Sequence, residues 1–198
     1  MIITQKEEIV KDDILKEAQK LFQQFGLKKT TMEDIARSMG KGKSTLYYYY
    51  CSKEEIFDAV ISKEMTEVFN EAKDAAEKAH SAEDKLRVFT ITKIKALQKK
   101  SNLYRVVRGE MQENNRCMKH VHREYDQQEI KLVKNILSFG IKTGEFSSAI
   151  KKDLDILPSV VVSSLRGLEF DLFAGNKYPK LETRIDSIVS IMVKGIKK

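Results

Sequence analysis

Four consecutive tyrosines, Tyr47 to Tyr50, end a short polar run that begins at Lys43. Ammonium groups and short hydroxyl side chains bind phosphate oxygens and base edges, and phenol hydroxyls also reach phosphates. Successive side chains on a helix point about 100° apart, so the four tyrosines cannot all lie in a core. We expect Tyr50 to point inward and Tyr47, Tyr48 and Tyr49 to point partly or fully outward, which indicates a nucleic-acid contact surface.

The alternative interpretation of the tyrosines is an aromatic-rich turn of the core. A helix this short cannot bury so many phenol hydroxyls with a hydrogen-bond partner for each. The contact surface is therefore favoured, with Tyr50 packed against Leu21, Phe22 and Ile35.

The segments around this surface have the pattern of short helices joined by tight turns. A first helix is predicted over residues 6–25, and the glycine that follows is the expected terminator. Thr30 or Thr31 then caps a second helix, which ends at Gly40, and a third short helix follows over residues 43–50. Two helices joined by about three residues that include glycine form the helix-turn-helix arrangement.

A long fourth helix is expected to connect this N-terminal segment to the rest of the chain. Ser52 caps it, and Glu54 and Glu55 lie in its first turn, where the helix dipole favours negative charge. Apolar residues at helical spacing extend it to about Ala79, a length of about 40 Å at 1.5 Å per residue. Further helices are predicted near residues 83–99, 101–111, 115–143, 154–174 and 181–197.

Composition and charge favour a soluble all-α protein. The 198 residues are 41% hydrophobic and 33% charged. The two prolines and nine glycines are too few turn-forming residues for a many-stranded fold. The net charge is +7, and residues 27–53 carry six basic side chains against two acidic ones. We expect a cytoplasmic location, because the chain starts with no signal-like segment, contains no span of bilayer length, and has only two scattered cysteines.

The segment from Ile14 to Phe57 resembles the TetR/AcrR family of one-component regulators. The matching residues are Ala18, Leu21, Phe22, Gly26, Thr31, Asp34, Ile35, Ala36, Gly40, Lys43, Thr45, Leu46, Tyr47, Tyr50, Ser52, Lys53 and Glu54. The resemblance implies an all-α fold of about nine helices. It also implies a helix-turn-helix DNA-binding domain at residues 1–52 and a helical domain for effector binding and dimerisation at residues 53–198.

The same resemblance implies a homodimer that binds a pseudo-palindromic operator, with its third helix in the major groove, and a repressor that a small-molecule effector releases. Thr31, Tyr47 and Lys53 would contact phosphates. Residues near bases or flanking phosphates would be Lys43, Ser44, Thr45, Tyr48 and Tyr49. Two residues depart from the family pattern. Lys41 replaces a small apolar residue and adds a candidate phosphate contact, and Gly42 replaces a capping serine or threonine at modest cost.

The predicted helix over residues 154–174 carries apolar residues on two faces, which favours two packing partners, and the last predicted helix offers a further apolar stripe. Two such helices from each of two subunits would form a four-helix interface, as the resemblance also implies; the alternative is that both complete a monomeric core. The expected interface residues are Val161, Leu165, Leu168, Leu172, Ile185, Ile188, Val189 and Met192.

The middle helices carry methionines and aromatic residues that would suit a pocket for a hydrophobic small-molecule effector. The candidate lining residues are Phe69, Phe89, Tyr104, Met111, Met118, His122, Tyr125 and Phe173. Each of them could instead be an ordinary core residue, and no group of charged residues in the sequence indicates a ligand class.

No catalytic or metal-binding function is expected. Cys117, His120 and His122 have the spacing Cys-x-x-His-x-His, but on a helix His122 points away from the other two, and Cys51 has no resolving cysteine nearby. The sequence contains no phosphate-binding loop and no hydrolase or metalloprotease motif, so we expect neither an enzyme nor a cofactor.

Two functional hypotheses therefore remain. The first is the ligand-responsive repressor. The second is a DNA-binding regulator without a small-molecule ligand, whose C-terminal domain only dimerises or docks a protein partner. An internal cavity would favour the first hypothesis, and a solidly packed domain would favour the second.

Overall fold

A computed structural model describes residues 5–100, 118–170 and 181–197. Its α-helices are α1 (Gln5–Phe25), α2 (Met32–Ser38), α3 (Lys43–Tyr49), α4 (Lys53–Glu77), α5 (Ala82–Lys99), α6 (Met118–Thr143), α7 (Leu157–Phe170) and α8 (Leu181–Lys194), with a 3-10 helix at Ser148–Asp153. These ranges contain no β-strand, only one isolated antiparallel bridge between Phe146 and Lys197. The predicted all-α class is confirmed.

Two details of the helix prediction were wrong. The 3-10 helix at Ser148–Asp153 was not predicted, and its N-cap is Ser147, whose side chain accepts a hydrogen bond from the Ala149 amide. α7 begins at Leu157, three residues after the predicted start near residue 154, and Pro158 lies in its first turn. Proline is tolerated there because first-turn amides have no partner within the helix.

The described residues fall into two compact units, the first built mainly from residues 5–65 and the second mainly from residues 66–100, 122–170 and 181–197. In the first unit, Ile14, Ala18 and Phe22 repeat every fourth residue on α1 and are fully buried. The ring of Phe22 meets that of Phe57 on α4 edge-on, with centroids 5.2 Å apart. This core fixes α2, α3 and the start of α4 around α1. Its other buried residues are Leu27, Met32, Ile35, Ala36, Leu46, Tyr50, Ile56, Val60 and Ile61.

The second unit has a core shared by α5 to α8. Its buried residues are Ala82, Leu86, Ile94, Val133, Ile136, Leu137, Phe146, Val162, Ile185, Val189 and Val193. Gly140 permits the segment after α6 to fold back, since a Cβ atom at this position would overlap the ring of Phe146. The carboxylate of Glu145 then accepts a hydrogen bond of 2.8 Å from the Ala82 amide at the start of α5.

No helix in the described ranges is both long enough and apolar enough to cross a membrane. Among the same residues there is no cluster of three histidine, cysteine or acidic side chains that could bind a metal ion. Cys117 of the Cys-x-x-His-x-His sequence lies outside the described residues.

Candidate nucleic-acid interface

The first helix of the predicted helix-turn-helix starts with a complete capping box. The Thr31 hydroxyl accepts a 3.1 Å hydrogen bond from the Asp34 amide, and the Asp34 carboxylate accepts one of 3.0 Å from the Thr31 amide. The Thr31 hydroxyl also donates to that carboxylate at 2.6 Å. These hydrogen bonds hold the pKa of Asp34 below its ordinary value. Thr31, rather than Thr30, is therefore the cap.

The turn between α2 and α3 depends on Gly40, whose φ of 63° favours glycine. The Lys41 amide then donates to the Ala36 carbonyl at 2.9 Å. Gly42 is the N-cap of α3 and supplies no side-chain hydrogen bond, which confirms that the usual capping hydroxyl is missing.

α3 presents a buried face and an exposed face. Leu46 and Tyr50 are buried, as predicted, whereas Tyr47 is 50% exposed and Tyr48 is 69% exposed. Tyr49 is half-buried against the core of the first unit. The inward position of Tyr50 is confirmed, Tyr47 and Tyr48 are exposed, and Tyr49 lies between the two environments, with its ring edge-on to that of Tyr48 at 4.9 Å between centroids.

The exposed face of α3 is extended by polar residues of its N-terminal end. Lys41, Lys43 and Ser44 are exposed, and Thr45 is half-buried. The Lys43 ammonium lies 3.9 Å from a carboxylate oxygen of Glu33, and both side chains are more than half exposed. An exposed ion pair of this kind contributes little free energy, so the Lys43 ammonium remains available to another anion. The surface formed by Lys41, Lys43, Ser44, Thr45, Tyr47, Tyr48 and Tyr49 is called the α3 face below.

An acidic residue lies next to this surface, which the sequence analysis did not foresee. The hydroxyl of Tyr48 donates a 3.2 Å hydrogen bond to the carboxylate of Glu7 on α1, 41 residues earlier in the chain. The hydrogen bond and the negative charge of Glu7 raise the pKa of Tyr48 above its ordinary value. A contact over this sequence separation leaves no local pattern that could have revealed it.

Lys53, for which the family resemblance implies a phosphate contact, is hydrogen-bonded to the backbone of its own chain. Its ammonium donates to three backbone carbonyls of the turn between α1 and α2: those of Leu27 at 2.8 Å, Thr30 at 3.0 Å and Lys28 at 3.3 Å. Ser52, by contrast, behaves as predicted, because its hydroxyl accepts a 3.1 Å hydrogen bond from the Glu55 amide and caps α4.

A short helix with an exposed polar and aromatic face, held by a second helix across a glycine turn, defines the class of helix-turn-helix DNA-binding proteins. Comparison with known protein families agrees with this class. Residues 14–60 match the model described as bacterial regulatory proteins, tetR family. Residues 61–161 match the model described as YsiA-like protein, C-terminal region. The chain belongs to the TetR family, whose members are transcriptional regulators and not enzymes.

Two curated relatives match part of the chain. One is an uncharacterized HTH-type transcriptional regulator, YhgD of Bacillus subtilis, 41% identical over 64 residues, which are 32% of this chain and 34% of that protein. The other is IcaR of Staphylococcus epidermidis, the negative transcriptional regulator of the biofilm operon icaADBC. It is 44% identical over 48 residues, 24% of this chain and 26% of that one. The chain thus matches these relatives over about a third or less of their length.

Solved structures match most of the chain. A transcriptional regulator from Cytophaga hutchinsonii is 28% identical with a TM-score of 0.74, covering 93% of this chain and 97% of that one. The regulator FadR of Bacillus subtilis, in complex with stearoyl-CoA, is 19% identical with a TM-score of 0.76, covering 93% and 98%. At 19% identity, the similarity to FadR shows a shared fold and nothing more.

The described part of the predicted effector pocket is a packed aromatic cluster. The ring of Phe69 meets those of Phe89 and Tyr125 edge-on, with centroids 6.4 Å and 6.1 Å apart. Phe69 and Phe89 are buried, and Tyr125 is half-buried. The remaining predicted residues are not placed: Tyr104, Met111 and Phe173 lie outside the described residues, as do the side chains of Met118 and His122.

A buried group of charges, not predicted from the sequence, lies beside this aromatic cluster. The ammonium of Lys93 on α5 lies 2.5 Å from Glu129 on α6 and 2.7 Å from Glu169 on α7, and all three side chains are buried. These three residues are called the buried charge cluster. Lys93 also lies 5.4 Å from the centre of the Tyr125 ring. One signal was present in the sequence: Lys93 is four residues from both Phe89 and Leu97, on a helix face that is otherwise apolar.

Burial and charge act in opposite directions within the buried charge cluster. Burial lowers the pKa of Lys93, but the carboxylates of Glu169 and Glu129 outweigh it, so the pKa is raised. Burial, together with the neighbouring Glu129, raises the pKa of Glu169 although Lys93 opposes the shift. Burial also raises the pKa of Tyr125. The cluster is therefore expected to hold a positive lysine, and Glu169 binds a proton more tightly than an exposed glutamate does.

The predicted dimer residues divide into two groups. Leu165, Ile185 and Val189 are buried against their own chain, where Ile185 and Val189 belong to the core of the second unit. Val161, Leu168 and Ile188 are half-buried, Met192 is 38% exposed, and Leu172 lies outside the described residues. Exposed apolar side chains nearby on α7 and α8 are Val160, at 51%, and Ile191, at 66%.

Proposed function

We propose that this protein is a repressor that binds a palindromic DNA operator as a homodimer and is released by a hydrophobic small-molecule effector. Residues 1–52 would form the DNA-binding domain, and residues 53–198 the domain for effector binding and dimerisation. The protein would act in the cytoplasm, where bacterial operator DNA is found. The similarity to IcaR, a negative regulator, supports repression rather than activation.

The single observation that carries the proposal is the exposure of Tyr47 and Tyr48 on a helix whose other side is buried. Exposed phenol rings beside Lys43 and Ser44 combine donors for phosphates with donors for base edges. We place the α3 face in the major groove. Thr31 would contact a flanking phosphate, for which its hydroxyl must turn away from Asp34, to which it now donates.

The dimer interface is proposed on the exposed apolar face of α7 and α8. A groove of about 250 Å³ lies between these helices and α5, and it is lined mainly by apolar side chains that include Val160, Val161 and Met192. Of the interface residues predicted from sequence, Val161, Leu168, Ile188 and Met192 keep exposed surface for a second copy, while Leu165, Ile185 and Val189 would support them from beneath. A TetR regulator needs two recognition helices for the two halves of a palindrome, which is the reason to expect a two-fold pair here.

The effector site is proposed around the aromatic cluster of Phe69, Phe89 and Tyr125. Edge-to-face aromatic rings and neighbouring alanines provide the apolar surface that a hydrophobic ligand requires. The complex of FadR with stearoyl-CoA shows that the same fold can accommodate a long-chain ligand in another protein. Binding would act by favouring one of two dimer geometries, as linkage requires.

The proposal is tested by capturing genomic DNA fragments with the purified protein and sequencing them. A single palindromic motif among the captured fragments supports the operator, and release of that fragment by a hydrophobic compound supports the effector. If the operator is bound but no apolar compound from a screen changes either its affinity or the thermal stability of the protein, the regulator without a small-molecule ligand replaces the first hypothesis.

A further inference from the structure

We infer that Lys53 positions the helix-turn-helix by fixing the turn between α1 and α2, instead of contacting a DNA phosphate. The inference rests on the proposed contact of the α3 face with an operator, but it concerns a residue outside that face. It assigns a role to the first residue of α4, the helix that begins directly after the recognition helix.

The hydrogen-bond capacity of Lys53 is fully used. A lysine ammonium has three N–H donors, and three carbonyl oxygens, those of Leu27, Lys28 and Thr30, lie within 2.8–3.3 Å of its Nζ atom. Lys53 is half-buried, and the hydrogen bonds to Leu27 and Thr30 are also partly buried. To reach a phosphate, the side chain would have to leave all three carbonyls.

The turn that Lys53 contacts depends on side chains to satisfy its carbonyls. α1 ends at Gly26 with a φ of 79°, and the Gly26 carbonyl accepts a 2.8 Å hydrogen bond from the hydroxyl of Thr30, whose side chain is buried. The next carbonyls, those of Leu27, Lys28 and Thr30, are the ones that Lys53 occupies. Without Lys53, these oxygens would lack their partner within a partly buried turn, which costs free energy unless water replaces it.

This turn determines where the helix-turn-helix begins, because Thr31, the cap of α2, follows it directly. The first turn of α4 is itself fixed, since Ser52 caps it and the Glu55 carboxylate accepts a 2.6 Å hydrogen bond from the Cys51 amide. Lys53 therefore connects the start of α4 to the start of α2 across 23 to 26 residues of sequence. A displacement of the first turn of α4 would move the cap of α2, and through it the placement of the α3 face.

Two substitutions at Lys53 separate positioning from phosphate contact. Lys53→Arg keeps the positive charge and would preserve or improve a phosphate contact, but a planar guanidinium cannot direct its donors at three carbonyls that converge on one atom. Lys53→Met removes the charge and keeps a similar length. We expect both variants to bind the captured operator at least about tenfold more weakly, the factor that corresponds to 1.4 kcal/mol.

The salt dependence distinguishes the two roles further. Each phosphate that a cationic side chain neutralises contributes about 0.9 to the slope of log affinity against log salt concentration. We expect Lys53→Met to leave this slope unchanged, whereas the matched control Lys43→Met, on the α3 face, lowers it by about 0.9 for each phosphate no longer neutralised. The inference is overturned if Lys53→Arg binds as tightly as the wild type while Lys53→Met has a reduced slope.

A measurement without DNA keeps the inference testable whatever the operator result. Amide hydrogen exchange at Thr31 and Asp34, whose amides form the capping box, should accelerate at least about tenfold in Lys53→Met. Exchange at Lys85, whose amide bonds to the Ser81 carbonyl in the second unit, should stay unchanged. Unchanged exchange at Thr31 and Asp34 would overturn the role of Lys53. Absence of operator binding by the wild type would overturn only the proposed function.

Discussion

The hydroxyl of Tyr48 on α3 donates a 3.2 Å hydrogen bond to the carboxylate of Glu7 on α1. This contact brings a negative charge to the edge of the surface that is proposed to bind DNA. It also uses the hydrogen-bond donor of the phenol, which would otherwise be available to a phosphate oxygen or a base edge. The N-terminal part of α1 therefore influences the α3 face although the two are far apart in the sequence.

Replacing Glu7 with glutamine should strengthen binding to the operator. The amide still accepts the Tyr48 hydrogen bond but removes the charge that repels phosphates, so we expect about a two- to fivefold gain in affinity at low salt. Fluorescence anisotropy with the captured operator measures the change. Glu8→Gln is the matched control, because Glu8 is exposed and carries the same charge without this contact. An equal gain in both variants would attribute the effect to net charge and not to Tyr48.

Replacing Lys93 with methionine should strongly destabilise the protein. The substitution leaves the carboxylates of Glu129 and Glu169 buried without their cation, and breaking a buried ion pair in this way costs about 3–5 kcal/mol. Urea unfolding at a fixed protein concentration gives the loss in free energy. Lys95→Met provides the control, since Lys95 lies on the same helix and is exposed. A loss below about 1 kcal/mol for Lys93→Met would contradict the buried charge cluster.

The stability of the protein should depend on the protonation of Glu169. Because the pKa of this carboxyl is raised above its ordinary value of 4.5, the folded state binds the proton more tightly than the unfolded state does. Its contribution to the free energy of unfolding therefore grows as the pH falls from the raised pKa toward 4.5, and disappears as the pH rises through the raised pKa. The groups facing it, Lys93, Arg166 and Glu129, remain in place in a Glu169→Gln variant.

The measurement compares wild type and Glu169→Gln by urea unfolding at a series of pH values that descends toward 4.5, the ordinary pKa of the group. We expect the wild type to gain stability relative to the variant as the pH falls across this window. A difference in unfolding free energy that stays constant, or that changes in the opposite direction, would contradict the raised pKa of Glu169.

An aspartate at Val160 should dissociate the proposed dimer. Val160 is 51% exposed and lines the groove on α7 and α8, so a carboxylate there would be desolvated against apolar surface in any interface. Sedimentation velocity should show a shift from dimer to monomer. Ile9→Asp, at a residue of similar exposure on α1, should leave the dimer intact. A dimer that survives Val160→Asp places the interface elsewhere.

The helix-turn-helix could be predicted from sequence because its determinants are local. The capping box of Thr31 and Asp34, the terminating glycines and the four tyrosines all act within a few residues of one another, and the structure has each of them as expected. Only the choice between Thr30 and Thr31 as the cap had to come from the structure.

The contacts that the sequence did not reveal join residues distant along the chain. Lys53 matched a family motif in which it contacts phosphate, and only the three-dimensional structure shows it bound to carbonyls 23 to 26 residues earlier. The buried charge cluster joins three helices, so no periodic pattern can pair its members. The burial of Leu165, Ile185 and Val189 within their own chain could not be predicted either. An apolar stripe on a helix does not indicate whether its packing partner is the same chain or a second copy.

The most direct test of the central claim is the salt dependence of binding to the fragment enriched from genomic DNA, measured for wild type and for Lys43→Met, with Lys95→Met as the control for charge alone. If the α3 face binds an operator, the enriched site is palindromic and the affinity for it falls steeply with salt. We also expect a slope lowered by about 0.9 for each phosphate no longer neutralised in Lys43→Met, and an unchanged slope in Lys95→Met. Weak binding without sequence preference, or an identical slope in all three proteins, would contradict the placement of the α3 face on an operator.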